Sequence, residues 1–101
     1  MKESDIEARL VKGVNALGGW AYKFTSPGNV GVPDRLVVLP GGYIIFVELN
    51  TETGRLSAMQ EYQHFQLRKR GAVVWVVRGM DGVDKFLHYC RQLIHEEGGT
   101  E

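Results

Sequence analysis

Residues 33–50 constrain this chain most, because they contain two short apolar runs separated by a tight turn. The first run ends at Leu39, the second begins at Tyr43, and a Pro-Gly-Gly segment lies between them at 40–42. Apolar runs of this length that are joined by Pro and Gly predict a β-hairpin.

Each strand of the predicted hairpin has an acidic residue, and the two residues lie at the same end of the hairpin. Asp34 precedes the first strand and Glu48 lies near the end of the second, so antiparallel pairing brings the two carboxylates together. Neighbouring carboxylates at the end of buried strands are costly unless a cation joins them. Glu48 and Asn50 share one sheet face because they are two residues apart. The hairpin therefore suits a hard divalent cation, bound by carboxylate oxygens and a backbone carbonyl.

Length and composition limit the class of protein. The 101 residues are 44% hydrophobic and 24% charged, which is typical of one globular domain and not of a disordered chain. No apolar stretch approaches the roughly 18 residues of a membrane-spanning helix, and no signal-type apolar block follows the charged N-terminus. The single cysteine excludes an internal disulfide and a cysteine-rich zinc site. We expect one cytoplasmic domain over residues 1–101, without membrane contact.

Helical patterns flank the hairpin on both sides. Apolar spacing over 4–17 predicts a first helix, and Ser4 with Glu7 matches a capping box at its start. An aromatic-rich strand at 20–24 and a Gly-rich loop at 25–32 then lead to Asp34. After the hairpin, Ser57 and Gln60 form a second possible capping box, and a helix continues to about residue 70. Its predicted apolar contacts are Met59, Tyr62, Phe65 and Leu67.

The last third of the chain predicts one further strand and one further helix. The apolar run at 72–77 is typical of a strand buried on both faces, and a helical connection favours parallel pairing with the preceding strand. A final helix starts near Asp81, and residues 96–101 are predicted to be a frayed polar tail. The predicted order α-β-β-β-α-β-α indicates an α/β domain with a mixed sheet flanked by helices.

The acidic residues, taken with their surroundings, resemble a known family. Pro33-Asp34, Glu48 and position 50 match the PD-(D/E)xK nuclease pattern, and the chain from residue 4 to about 77 is similar to a stand-alone VRR-NUC domain. The matching features are Glu7 in the first helix and the segments 31–36, 47–49 and 54–57, followed by Gln60. The resemblance implies a restriction-endonuclease-like fold and hydrolysis of DNA phosphodiester bonds with Mg²⁺ or Mn²⁺.

The resemblance also implies roles for individual residues. Asp34, Glu48 and the Leu49 carbonyl would bind the metal, with Glu7 helping through the metal or its water. Gln60 would orient site or phosphate groups. The predicted catalytic residues are Glu7, Asp34, Glu48, Asn50 and Gln60, and the predicted DNA-binding residues are Lys23, Arg35, Arg55 and Ser57.

Small members of this family resemble Holliday junction resolvases, which implies a particular substrate and assembly. We expect a homodimer that cuts branched DNA, such as junctions or flaps, in a bacterial or phage-infected cell. A dimer presents two sites to two strands, which a monomer of this size cannot easily do.

Asn50 is a departure from the family pattern, in which a lysine occupies this position. Asparagine keeps hydrogen bonding but supplies no charge, and removing one preorganised electrostatic group costs on the order of 10²–10³ in rate. Lys23 or Arg55 could supply a cation instead. Together with the zero net charge, Asn50 leaves an alternative open, a non-catalytic DNA-binding or scaffold module with the nuclease fold. A third alternative is a small domain whose acidic pair binds a structural cation.

The histidines, the cysteine and the aromatic residues do not indicate further chemistry. His64, His88 and His95 have no metal-ligand spacing with the cysteine, so we expect them to be structural or exposed. Cys90 is expected to be a small core residue rather than a nucleophile. Base stacking is conceivable for the aromatic residues, but core packing is the expectation for Trp20, Tyr22, Phe24 and Trp75.

Overall fold

The computed structural model describes residues 2–99, which form a four-stranded mixed sheet and three helices. The order α-β-β-β-α-β-α confirms the predicted α/β class. The elements are α1 (Glu3–Ala16), β1 (Trp20–Lys23), β2 (Arg35–Leu39), β3 (Tyr43–Asn50), α2 (Ala58–Lys69), β4 (Val74–Arg78) and α3 (Gly79–Gly99).

The predicted hairpin is the centre of the sheet, whose strand order is β1-β2-β3-β4. β2 and β3 are antiparallel, with Arg35 opposite Val47 and Leu39 opposite Tyr43. Gly41 and Gly42 close the turn with φ angles of 93° and 84°, values that glycine adopts without strain. β4 pairs with β3 in parallel, as the helical connection predicts. This register places Asp34 level with Glu48.

One face of the sheet, which we call the core face, is covered by α1 and α3. Alternate strand residues point towards it and pack with the apolar stripes of the two helices. Cys90 is fully buried there, and burial raises the pKa of its thiol to about 12, so it is a core residue and not a nucleophile. Other buried members of this cluster are Ile6, Leu10, Val14, Val37, Ile45, Val47, Val77, Val83 and Phe86.

The opposite face, which we call the α2 face, is less completely covered. It carries the other alternate residues, among them Trp20, Tyr22 and Ile44, which remain exposed. The expectation that Trp20 and Tyr22 pack in the core is therefore wrong, because α2, the helix on this face, packs against β4 at the opposite edge of the sheet. Trp75 is half-buried and packs against the core cluster, with its ring centroid 4.8 Å from that of Tyr89, and Phe24 contacts Phe46.

The start of α1 differs from its prediction. The helix begins at Glu3, with Lys2 at the cap position and no side chain capping it, so the Ser4 capping box is wrong. Ser4 lies inside the first turn, and Glu7 forms an ion pair with Arg35 instead of reaching back along the helix. A charged partner across the domain binds this carboxylate more strongly than a single backbone N–H would.

The buried side of α2 also differs from its prediction. Its capping box is confirmed, but Met59, Tyr62 and Phe65 are exposed. The buried residue is His64, with 1% of its surface exposed. α2 therefore turns a polar stripe towards the sheet, because the buried Glu48 lies beneath it and needs hydrogen-bond donors.

The C-terminal elements are shifted relative to their predictions. β4 starts at Val74 rather than residue 72, and Trp75 and Val76 are only half-buried on an edge strand. α3 begins at Gly79 directly after β4 and continues to Gly99, so residues 96–99 of the predicted tail are helical. Residues 100 and 101 lie outside the described residues. Within residues 2–99, no helix is long and apolar enough to cross a membrane.

Candidate active site

The loop that leads into Asp34 is fixed against the start of α2. Gly31 has a φ of 94°, and a Cβ atom there would lie 2.6 Å from the backbone of Met59. Only glycine allows this approach. Pro33 is buried, so the chain enters the site along a defined path.

Asp34 lies where β2 stops and β3 continues. The β2–β3 ladder ends with Arg35 opposite Val47, and β3 extends three residues further, to Asn50. Asp34 accepts a hydrogen bond from the Leu49 backbone N–H at 2.8 Å, in place of a strand partner. Because the N–H and carbonyl of one strand residue face the same neighbour, the Leu49 carbonyl is directed to the side of Asp34.

Glu48 is buried beside Asp34, with 2% of its surface exposed. Burial, then the hydrogen bond and negative charge of Asp34, and finally the charge of Glu3, raise the pKa of Glu48 to about 8. Without a cation, the Asp34–Glu48 pair therefore retains a proton at neutral pH. This is the electrostatic cost that the sequence predicts for two adjacent carboxylates.

Gln60 links the start of α2 to Glu48. Its Oε1 accepts from the Ser57 backbone N–H at 2.8 Å, and its Nε2 donates to Glu48 Oε2 at 3.1 Å. The Ser57 hydroxyl in turn accepts from the Gln60 backbone N–H at 3.1 Å. The capping box thus fixes the side-chain amide of Gln60 and points its donor at the carboxylate.

His64 is a site residue that the sequence analysis missed. Its Nε2 lies 3.3 Å from Glu48 Oε1. Burial first, and then the charge of Arg68, lower the pKa of this imidazole, so it is neutral at pH 7. The available signal was its position, one helical turn after Gln60 and on the same helix face. The spacing of His64 to the cysteine carries no information about this position.

Glu7 reaches the same end of the sheet from the core face. Its Oε2 accepts two hydrogen bonds from Arg35, at 2.9 and 3.2 Å. A cavity of about 210 Å³ lies here, lined by Glu3, Ser4, Glu7, Asp34 and Leu49. Glu3 and Ser4 were not predicted as site residues, although Glu3 precedes Glu7 by one helical turn.

Arg35 is placed differently from the expectation of a DNA-binding residue. Its guanidinium is buried and donates to Glu7 and to the Ala21 carbonyl, the latter at 3.0 Å. A buried guanidinium engaged in this way is a structural partner of Glu7. Lys23 is exposed on β1 next to Arg35, and Arg55 and Ser57 are exposed before α2.

Asn50 lies beside Arg78, a residue that the sequence did not point to. Its side-chain oxygen accepts from the Thr51 backbone N–H at 2.9 Å. Arg78 lies beside it in the parallel β3–β4 register and donates to the Gly54 carbonyl. Residues in register share a sheet face, so Arg78 is one strand away from the position of the family lysine. Arg78 and Arg55 line a cavity of about 460 Å³.

The oxygen atoms near Asp34 and Glu48 determine whether this site can bind a metal ion. Within residues 2–99, no group of three or more His, Cys, Asp or Glu side chains is arranged to hold a metal ion. The arrangement that is present has two carboxyl groups, Asp34 and Glu48, beside the Leu49 main chain. Two carboxylates and a carbonyl fit a hard cation that keeps several water ligands. Glu7 lies near this set but is paired with Arg35.

Comparisons with known proteins find a similar sequence and similar structures. No protein-family model matches the chain. A protein of Acyrthosiphon pisum secondary endosymbiont phage 1, named "Putative nuclease p44", is 46% identical over 81 residues, which are 80% of this chain and 87% of that protein. A solved structure titled "VRR_NUC domain" has a TM-score of 0.81 and 38% identity, covering 85% of this chain and 94% of that one. A second, titled "VRR_NUC domain protein", has a TM-score of 0.65 at 17% identity and covers 92% of this chain and 90% of that one, which supports the fold alone.

Proposed function

The chain belongs to the VRR-NUC family of nucleases, and from this premise we propose that it is a divalent-metal-dependent endonuclease acting on branched DNA. The observation that carries the proposal is the Asp34–Glu48 pair. Glu48 is buried against a second carboxyl group with a pKa raised to about 8. Two ionised carboxylates buried side by side cost free energy unless a cation compensates their charge.

Asp34, Glu48 and the Leu49 carbonyl are the proposed ligands of Mg²⁺ or Mn²⁺. When bound, the cation supplies charge stabilisation at the phosphate and lowers the pKa of a water molecule. Asp34 is oriented by the Leu49 N–H, and Glu48 by Gln60. Glu7, fixed by Arg35, acts at the edge of the site on water.

The site still requires a positive charge to replace the family lysine. We assign this role to Arg78, since it lies next to Asn50 on the same sheet face. Its hydrogen bond to the Gly54 carbonyl holds the guanidinium over the loop that follows β3. Lys23 and Arg55 are exposed at two edges of the site and are assigned to DNA phosphates.

A homodimer that binds junctions or flaps is the proposed assembly. The support is the uncovered part of the α2 face, where Trp20, Ile44 and Tyr22 are 62%, 56% and 51% exposed. Apolar patches of this kind mark interaction surfaces. Ile44→Glu should convert a dimer to a monomer in sedimentation equilibrium, whereas a wild-type protein that is monomeric at all concentrations would contradict the assembly.

Cleavage assays test the proposal directly. The protein and its Asn50→Lys variant are incubated with four-way junction, flap and linear duplex DNA, with Mg²⁺ or Mn²⁺. We expect metal-dependent cleavage of the branched substrates, faster in Asn50→Lys, and none in Glu48→Gln. If neither the wild-type protein nor Asn50→Lys cuts any substrate, the enzymatic proposal fails.

A non-catalytic DNA-binding module is the second candidate, favoured by one observation. The Asn50 side chain supplies no charge and is turned to the Thr51 backbone. This candidate predicts junction binding that is insensitive to Asp34→Ala and no cleavage by Asn50→Lys. Cleavage gained by that single substitution would exclude it.

A further inference from the structure

We propose that His64 is a positioning residue which, together with Gln60, clamps the Glu48 carboxylate in the orientation that a divalent cation requires. The inference rests on the proposed function, because it concerns the same metal site. It adds a residue for which the family pattern described above gives no role.

The clamp consists of one donor for each carboxylate oxygen. Gln60 Nε2 lies 3.1 Å from Oε2 and His64 Nε2 lies 3.3 Å from Oε1. The two residues are four apart on α2, so both point to the sheet from the same helix face. With both oxygens engaged from one side, the Glu48 side chain is restricted to one orientation.

The tautomer of His64 follows from its burial. His64 is 1% exposed, and within residues 2–99 its Nδ1 is a buried atom without a hydrogen-bond partner. A proton on Nδ1 would bury an unsatisfied N–H donor, whereas a proton on Nε2 is used by Glu48. His64 therefore carries its proton on Nε2 and donates to the carboxylate.

Two neutral donors suit a metal ligand better than a cationic one. A neutral imidazole and an amide orient the carboxylate and leave its charge for the cation, while a lysine or arginine would neutralise it. The nearest cation on the helix, Arg68, is directed elsewhere and donates to the Val74 carbonyl at 2.8 Å. Hydrogen-bond partners of metal ligands are typically worth 10–100-fold in metal affinity.

The first test is the tautomer itself, which does not depend on activity. Two-dimensional ¹H–¹⁵N NMR of the metal-free protein at pH 8 distinguishes the two ring nitrogens of each histidine. We expect the His64 proton on Nε2. A proton on Nδ1 would overturn the proposed hydrogen bond.

The second test is the affinity for Mn²⁺ alone, measured by calorimetric titration without DNA. His64→Phe keeps the ring volume but removes the donor, and we expect its affinity to fall about 10-fold or more. His64→Gln places an amide donor at similar reach and should recover most of the loss. His88→Phe, at an exposed histidine of α3, is the matched control and should bind as the wild type does.

The outcomes separate this inference from the proposed function. Unchanged Mn²⁺ affinity in a folded His64→Phe protein overturns the clamp and leaves the metal site intact. A lower melting temperature of that variant without a change in affinity indicates a merely structural histidine and also overturns it. If wild-type protein does not bind Mn²⁺, the metal site fails and the clamp with it.

Discussion

The two faces of the sheet are built on different principles. The core face is closed by apolar stripes of α1 and α3, whose members are almost completely buried. The α2 face instead buries two polar residues, Glu48 and His64, and leaves Ile44 and Phe65 in solvent. Burial of apolar groups stabilises a fold, and burial of a carboxyl group costs free energy unless its partners and a cation compensate. The difference indicates that the core face carries the stability and that the α2 face is organised for binding.

The largest expected effect is the contrast between two phenylalanines. Phe86→Ala removes a fully buried ring from the core face and should lower the free energy of unfolding by about 3–5 kcal/mol. Phe65→Ala, at a ring that is 59% exposed on α2, should change it by less than about 0.5 kcal/mol. Urea denaturation measures both. Equal losses would break the distinction between the faces.

A smaller effect is expected in cleavage rate from the cation next to Asn50. Arg78→Ala should slow cleavage about 10²-fold, by the loss of one electrostatic group. In the Asn50→Lys background the same change should cost less, because the lysine replaces the charge. Single-turnover rates of the four variants form a double-mutant cycle. If Arg78→Ala slows cleavage equally in both backgrounds, Arg78 does not substitute for the family lysine.

The smallest effect is a pH dependence of stability that belongs to the α2 face. The folded chain holds the Glu48 proton more tightly than the unfolded chain does, because the pKa rises from 4.5 to about 8. This stabilisation is complete below pH 4.5 and is lost as the pH rises through 8. The lowered pKa of His64 acts oppositely, but only below its ordinary value of 6.5.

Between pH 6.5 and 8, the metal-free protein should therefore become less stable as the pH rises. Differential scanning calorimetry should show a melting temperature that falls over this window in wild type and stays level in Glu48→Gln. A slope that survives in the variant would assign the titration to another group.

The sequence predicted the core face better than the α2 face, and the reason is physical. Alternation and helical spacing reflect apolar burial, so the hairpin, its register and the burial of Cys90 could be predicted from the pattern. The exposed Tyr62 and Phe65 break the same rule, because α2 is oriented by the donors that Glu48 needs rather than by its apolar residues. The Ser4 capping box was wrong since its Glu has a distant cationic partner, which local spacing does not reveal.

Within the candidate site, the hairpin accounts for Asp34, Glu48 and Leu49, whereas long-range contacts determine the rest. His64 and Arg78 come to the site through α2 packing and the β3–β4 register. Arg35 looked available for DNA in the sequence, yet the fold buries it against Glu7. The roles of these residues depend on tertiary contacts between segments that are far apart in sequence.

The central claim is that the carboxyl pair on the α2 face is built to be completed by a cation. The most direct measurement is the melting temperature at pH 8 with and without Mn²⁺, in wild type and in an Asp34→Asn, Glu48→Gln double variant. A ligand that binds only the folded state raises the melting temperature. We predict a rise with Mn²⁺ in wild type and none in the double variant. An unchanged wild-type melting temperature, or an equal rise in both proteins, would contradict the account.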